Sequence, residues 1–186
     1  MEALLVSIGV VALAEIGDKT QLLTLVLAAR YRKPWPIVAG IFVATLVNHG
    51  IAGAIGAWLT RTIGPDAMRW ILGVSFIAMA AWMLVPDKLD DDDSAAKQRG
   101  GVFVTTAILF FFVEIGDKTQ IATVALAARF DSLMAVVMGT TVGMILANAP
   151  VAFFGEALAR RLPVRAVHIV AAIVFAALGI AVLVWG

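Results

Sequence analysis

Cysteine is absent from this chain, which excludes a disulfide framework, a thiolate metal site and a thiol nucleophile. Histidine occurs only twice, as His49 and His168, too sparsely for the imidazole-rich sites that zinc and copper normally call for. Both are read as packing or interfacial residues. Charge is scarce as well: 15% of the 186 residues are charged against 62% apolar, and the mean hydropathy is +0.98. Such a chain is too apolar for a soluble domain and too long for a single anchor. No nucleic-acid partner is expected.

What is present is a series of apolar runs, at about residues 3–28, 36–60, 67–86, 101–128, 133–157 and 165–185, each meeting the roughly 20 residues needed to span a bilayer. The expected fold is an all-α polytopic membrane protein of six transmembrane helices. Nothing outside these runs is long enough for a soluble catalytic domain, so an enzyme is not expected. Ala12-Leu13-Ala14 has the look of a signal-peptidase site. The preceding segment carries Glu2 and no basic residue, however, and the apolar pattern continues past it, so cleavage is not expected.

Inside the first and fourth runs lies one heptapeptide, repeated unchanged: Glu15-Ile16-Gly17-Asp18-Lys19-Thr20-Gln21 and Glu114-Ile115-Gly116-Asp117-Lys118-Thr119-Gln120. A charged side chain at mid-bilayer costs roughly 2.5–3.5 kcal/mol on the translocon scale, so three such groups placed there twice point to a functional site. The copies are offset by 99 residues, and the same offset relates Leu27-Ala28-Ala29-Arg30 to Leu126-Ala127-Ala128-Arg129, Gly40 to Gly139 and Ala44 to Gly143. The chain therefore reads as a duplication: a first three-helix repeat at 1–86, an acidic linker at 87–100 and a second three-helix repeat at 101–186. Three spans is an odd number, so the second repeat enters the membrane from the opposite side, which predicts an inverted-topology repeat.

Loop charges set the orientation. The first, third and fifth connections hold Arg30, Arg32, Lys33, Lys88, Lys97, Arg99, Arg160, Arg161 and Arg165, whereas the other side holds Arg61, Arg69 and Arg129. By the positive-inside rule the richer side is cytoplasmic and both termini lie outside. The linker, with Asp87 and Asp90-Asp91-Asp92-Asp93, reads as a solvated hinge, with cation capture at the cytoplasmic mouth as the alternative. Gly40 with Ala44 and Gly139 with Gly143 follow the small-xxx-small spacing of close helix packing. The five tryptophans fall near span ends, as interfacial anchors do.

On a regular helix Glu15, Asp18 and Lys19 share one face, with Gln21 at its border; Glu114, Asp117, Lys118 and Gln120 repeat the arrangement. Thr20 and Thr119 then project away from it. Gly17 and Gly116 interrupt the helices and permit close packing or local unwinding. Related by a pseudo-two-fold axis in the membrane plane, the two faces converge at the midplane, where secondary transporters bind their substrates. Each copy carries two carboxylates and one ammonium, so the pair sums to −2, which one divalent cation or two protons neutralise. Glu15, Asp18, Glu114 and Asp117, with Thr20, Thr119, Gln21 and Gln120 nearby, form an all-oxygen set suited to Mn²⁺, Ca²⁺ or Mg²⁺. Lys19 and Lys118 serve as counter-ions when the site is empty. If metal-bound and protonated states exclude each other, metal and proton move in opposite directions. The bland alternative is a pair of buried salt-bridge knots, a weak source of stability compared with apolar packing. The Gly-Asp-Lys-Thr string also ends like a P-loop but lacks the upstream glycine spacing and a preceding strand.

Two copies of Glu-x-Gly-Asp-Lys-[Thr/Ser] in a three-plus-three chain with an acidic central loop resemble the small cation:proton exchangers that include bacterial MneA/Mnx-type manganese exporters and the eukaryotic Golgi manganese/calcium transporters. The similarity covers essentially the whole chain. The resemblance implies export of Mn²⁺, or of Ca²⁺ in some members, in exchange for protons at one site formed by both motifs. Carried over by position, the ligands are Glu15, Asp18, Glu114 and Asp117. No cofactor is expected besides the transported cation, and the partners are that cation, the proton and the lipid bilayer. The expected location is a bacterial inner membrane. The family is also similar to LysE-type exporters, so an amino-acid or small-solute exporter is the alternative function, and a non-transporting scaffold a third.

Overall fold

The computed structural model describes residues 1–85, 101–155 and 163–185. The acidic linker at 87–100, with its four consecutive aspartates, and the basic pair at 160 and 161 lie outside these residues. Among the described residues there are eight helices and no strand: α1 (Glu2–Glu15), α2 (Lys19–Tyr31), α3 (Pro34–Thr62), α4 (Pro65–Trp82), α5 (Val102–Glu114), α6 (Lys118–Arg129), α7 (Leu133–Phe154) and α8 (Val164–Trp185). Pro34 and Pro65 open α3 and α4 at positions where a missing N–H costs no helical hydrogen bond.

Three of the helices, α3, α7 and α8, are long and apolar enough to cross a membrane. The first and fourth apolar runs, expected above as single spans with local unwinding permitted at Gly17 and Gly116, are each divided in two. In the first, Ile16 is extended (φ −66°, ψ 115°), Gly17 is left-handed (φ +84°) and Asp18 (φ −79°, ψ 167°) restarts the chain as the N-cap of α2. In the second, Ile115 (φ −63°, ψ 120°), Gly116 (φ +75°) and Asp117 (φ −77°, ψ 163°) follow the same path. The identical heptapeptide thus folds identically twice. The cause is local: glycine enters the left-handed region at little cost, and aspartate is a better N-cap than helix-interior residue.

The distribution of polarity is inside out. Ile51, Ile77, Phe112, Val170 and Ile173 are exposed, whereas Glu15, Asp18, Glu114, Asp117, Lys118, Asn48, Asn148 and His49 are buried. An apolar exterior around an interior of polar and ionisable side chains suits lipid, not water. All five tryptophans are exposed.

The buried groups are held by helix crossings built on small residues. A Cβ on Gly139 would meet the Leu4 carbonyl at 2.7 Å and one on Gly143 the Ile8 carbonyl at 2.7 Å, so α7 lies directly on α1. A Cβ on Gly40 would meet the Phe103 carbonyl at 2.8 Å, and α3 lies on α5 in the same way. The helix after each pair of half-helices therefore packs on the first half-helix of the other pair. Between α4 and α8, Gly73 accommodates Leu183 and Gly179 accommodates Ile77. These crossings bring the two breaks towards each other.

Candidate cation site

Each break ends in an aspartate whose carboxylate caps the next half-helix. Asp18 Oδ1 accepts from the Lys19 backbone N–H at 2.9 Å, and Asp117 Oδ1 from that of Lys118 at 2.8 Å. The glutamine three residues on completes each turn: Gln21 Oε1 accepts from Gly17 N–H at 2.9 Å and Gln120 Oε1 from Gly116 N–H at 2.7 Å. Both glutamines thus use their amide oxygens to fix the break. Gln21 also donates from Nε2 to the Ala147 carbonyl at 3.0 Å, tying α2 to α7.

With the helix interrupted, Glu15 and Asp18 no longer share a continuous helical face, yet they still converge. Glu15, Asp18 and Asp117 each offer one carboxylate oxygen, all within 4.8 Å of one another, and all three residues are buried. Two come from the first copy and one from the second. Lys19 Nζ lies 3.8 Å from Asp117 Oδ1, an ion pair between the copies. Lys118, fully buried, donates from Nζ to the Val85 carbonyl at 3.2 Å beyond the end of α4.

Glu114, the fourth expected carboxylate, does not join this group. Its Oε1 lies 2.7 Å from His49 Nε2, with both side chains fully enclosed, and its Oε2 accepts from Asn48 Nδ2 at 3.2 Å. Glu15 is held by a different pair: Thr20 donates its hydroxyl to Oε2, and Asn148 Nδ2 donates to the same oxygen at 3.0 Å. Thr20 therefore turns towards the carboxylate, contrary to its expected direction on a regular helix, because the break reorients α2. Thr24 donates to Asn148 Oδ1 at 2.6 Å. Glu15 Oε1 and the Thr119 hydroxyl are buried with no hydrogen-bond partner among the described residues.

The structure corrects the reading of both histidines. His49 is not packing filler but the partner of Glu114. His168 Nε2 lies 2.8 Å from the Ile16 carbonyl, inside the first break. Sequence reasoning also passed over Asn48 and Asn148, amides in the middle of apolar helices. A signal existed, since the 99-residue offset that relates Glu15 to Glu114 also relates His49 to Asn148. Each motif glutamate is thus met by the residue at one and the same repeat position on the other half.

Residues 3–91 and 102–186 match the protein family described as "Divalent cation/proton antiporter GDT1". Over 182 residues the chain is 50% identical to a protein of Vibrio cholerae serotype O1 (strain ATCC 39541 / Classical Ogawa 395 / O395) named "Putative manganese exporter", an overlap covering 97% of this chain and 90% of that one. No solved structure matches the chain.

Proposed function

The chain belongs to the divalent cation/proton antiporter GDT1 family, and from that premise we propose that it exports Mn²⁺, with Ca²⁺ as the second candidate, from the cytoplasm in exchange for protons through one site shared by both heptapeptides. The observation that carries this reading is the convergence of Glu15 and Asp18 from one copy with Asp117 from the other. Three oxygens within 4.8 Å of one another fit around a single ion that takes oxygen ligands at about 2.3–2.6 Å. An orphaned Glu15 Oε1 in a buried setting is costly without a partner, and a cation supplies one.

Manganese is favoured because it is the cargo named for the Vibrio relative, and an all-carboxylate set suits Mn²⁺ and Ca²⁺ alike. Proton coupling follows from charge. With Lys19 and Lys118 already counted, the two copies leave −2 between them, so the site empties in lipid only if protons take over from the cation. Metal-bound and protonated carriers then exclude each other, which is the requirement for exchange.

In this reading α1 with α2 and α5 with α6 are two discontinuous spans, and α3, α4, α7 and α8 supply four more. The two halves form an inverted repeat. The shared dihedral path at both breaks and the matching crossings at Gly40 and Gly139 support that arrangement. Arg30 in the last turn of α2, with Arg32 and Lys33 between α2 and α3, all exposed, face the cytoplasm under the positive-inside rule, in the plasma membrane of a bacterium with both termini outside.

The test is Mn²⁺ and Ca²⁺ flux in proteoliposomes under an imposed pH gradient, with internal metal and pH recorded together. Metal moving against protons, lost in both Asp18→Asn and Asp117→Asn, is the expected result. Absence of divalent flux from correctly inserted protein would sink the reading and make amino-acid export the next hypothesis.

A further inference from the structure

The two breaks share a backbone path but not their surroundings. A Cβ on Gly17 would meet Val164 Cγ1 at 2.2 Å and His168 Nε2 at 3.1 Å, both on α8, whereas one on Gly116 would meet nothing within 4 Å among the described residues. Ile115 is 53% exposed and Gly116 is exposed, while Ile16 and Gly17 are half-buried. The helices follow the same asymmetry. α8 packs on α1 and α4 packs on α6, but their repeat counterparts, α4 on α5 and α8 on α2, form no comparable interface among the described residues. The start of α8 thus sits over the first break, whereas the second copy is met just beyond its break, where Lys118 donates to the Val85 carbonyl after α4.

One polar contact joins α8 to the first break. Breaking α1 at Glu15 leaves the Ile16 carbonyl without a helical partner, and buried His168 donates to it from Nε2 at 2.8 Å. The residue 99 positions earlier is Arg69, which lines a cavity of about 350 Å³ with Arg129 and Trp185, at the opposite end of α6 from Gly116.

We infer that His168 is a positioning residue of the exchange cycle: by holding the Ile16 carbonyl it docks α8 over the first break and closes the cation site from that side, and its release lets the site change the side it faces. The inference rests on the transport reading above but is tested without transport. Packing by Val164 alone would keep α8 near Gly17. What His168 adds is a directional hydrogen bond to a carbonyl inside the break that joins α1 to α2, next to Glu15 and Asp18.

Hydrogen–deuterium exchange on the purified full chain in nanodiscs reads both breaks at once. Gly17 and Gly116 N–H make equivalent hydrogen bonds to Gln21 and Gln120, so a change confined to one break reports on what covers it. In His168→Ala, exchange across residues 15–18 should rise roughly tenfold, the size of one lost hydrogen bond, while that across 114–117 stays unchanged. His168→Gln, which retains an N–H donor, should restore protection. Unchanged exchange at the first break, an equal rise at both breaks, or failure of glutamine to restore protection would each overturn the proposal. Because no cation moves in this experiment, its failure leaves the export reading standing, and absent metal flux leaves this contact standing.

Discussion

His49 Nε2 lies 2.7 Å from Glu114 Oε1, while the same repeat position in the other half is Asn148, bonded at 3.0 Å to Glu15. Equivalent places therefore hold unequal glutamates, one inside the carboxylate group and one outside it. Asn148→Ala removes a support of a candidate ligand and is expected to weaken Mn²⁺ affinity by about 10–100-fold, the usual effect of losing an outer partner. His49→Ala instead strips a buried carboxylate of its nearest partner and is expected to cost about 3 kcal/mol of stability, with the smaller effect on affinity. Half-saturating Mn²⁺ and thermal unfolding, measured on both variants, separate the two. Equal affinity losses would mean that Glu114 belongs to the ligand set after all.

Asp18 and Asp117 each cap a helix and face the carboxylate group, and substitution can part these tasks. Asparagine caps almost as well as aspartate, whereas alanine costs about 1 kcal/mol. Asp18→Asn and Asp117→Asn are thus expected to abolish exchange with little change in unfolding temperature, and the alanine variants to lose both. Should the asparagine variants unfold as readily as the alanine ones while keeping flux, the aspartates would be structural only.

Gly17 and Gly116 carry the same backbone demand, since a left-handed conformation costs a residue with a Cβ about 1–2 kcal/mol. Gly116→Ala is expected to show that cost alone. Gly17→Ala adds a collision with Val164 Cγ1 at 2.2 Å, so it should be the more damaging in unfolding and exchange. Val164→Ala in the same molecule should recover the excess and no more. Equal damage from the two glycine substitutions would remove α8 from its place over the first break.

Much of this arrangement can be read in the sequence, and the rest has identifiable reasons for hiding. The duplicated heptapeptide, its convergence and the close-packing role of Gly40 and Gly139 follow from spacing and offset. The breaks were half visible: glycine suggested unwinding, but helical periodicity treats an apolar run as one element. The stronger signal was Asp18 followed by Gln21, the spacing of an N-terminal cap and its return bond. Lone polar residues such as Asn48 gave no local signal, because their meaning depends on which helix they meet. That Glu114 turns to His49 is a tertiary fact with no trace in its own segment.

Lys19 carries the last prediction, because it joins the two copies at 3.8 Å from Asp117 while its side chain stays 23% exposed. Its ammonium opposes a bound cation and supports the empty site, so its removal should affect the two halves of a transport cycle with opposite sign. Lys19→Gln makes the charge of the paired motifs one unit more negative, which strengthens attraction for Mn²⁺ and leaves the unoccupied carrier harder to bury. Exchange of labelled for unlabelled Mn²⁺ never requires the metal-free carrier to reorient, whereas net efflux against protons returns the carrier metal-free and protonated. The expected outcome is a lowered half-saturating Mn²⁺ concentration with self-exchange retained and net efflux slowed. A variant that lost both modes together would show Lys19 to be needed for binding or folding, and the counter-ion role would have to be given up.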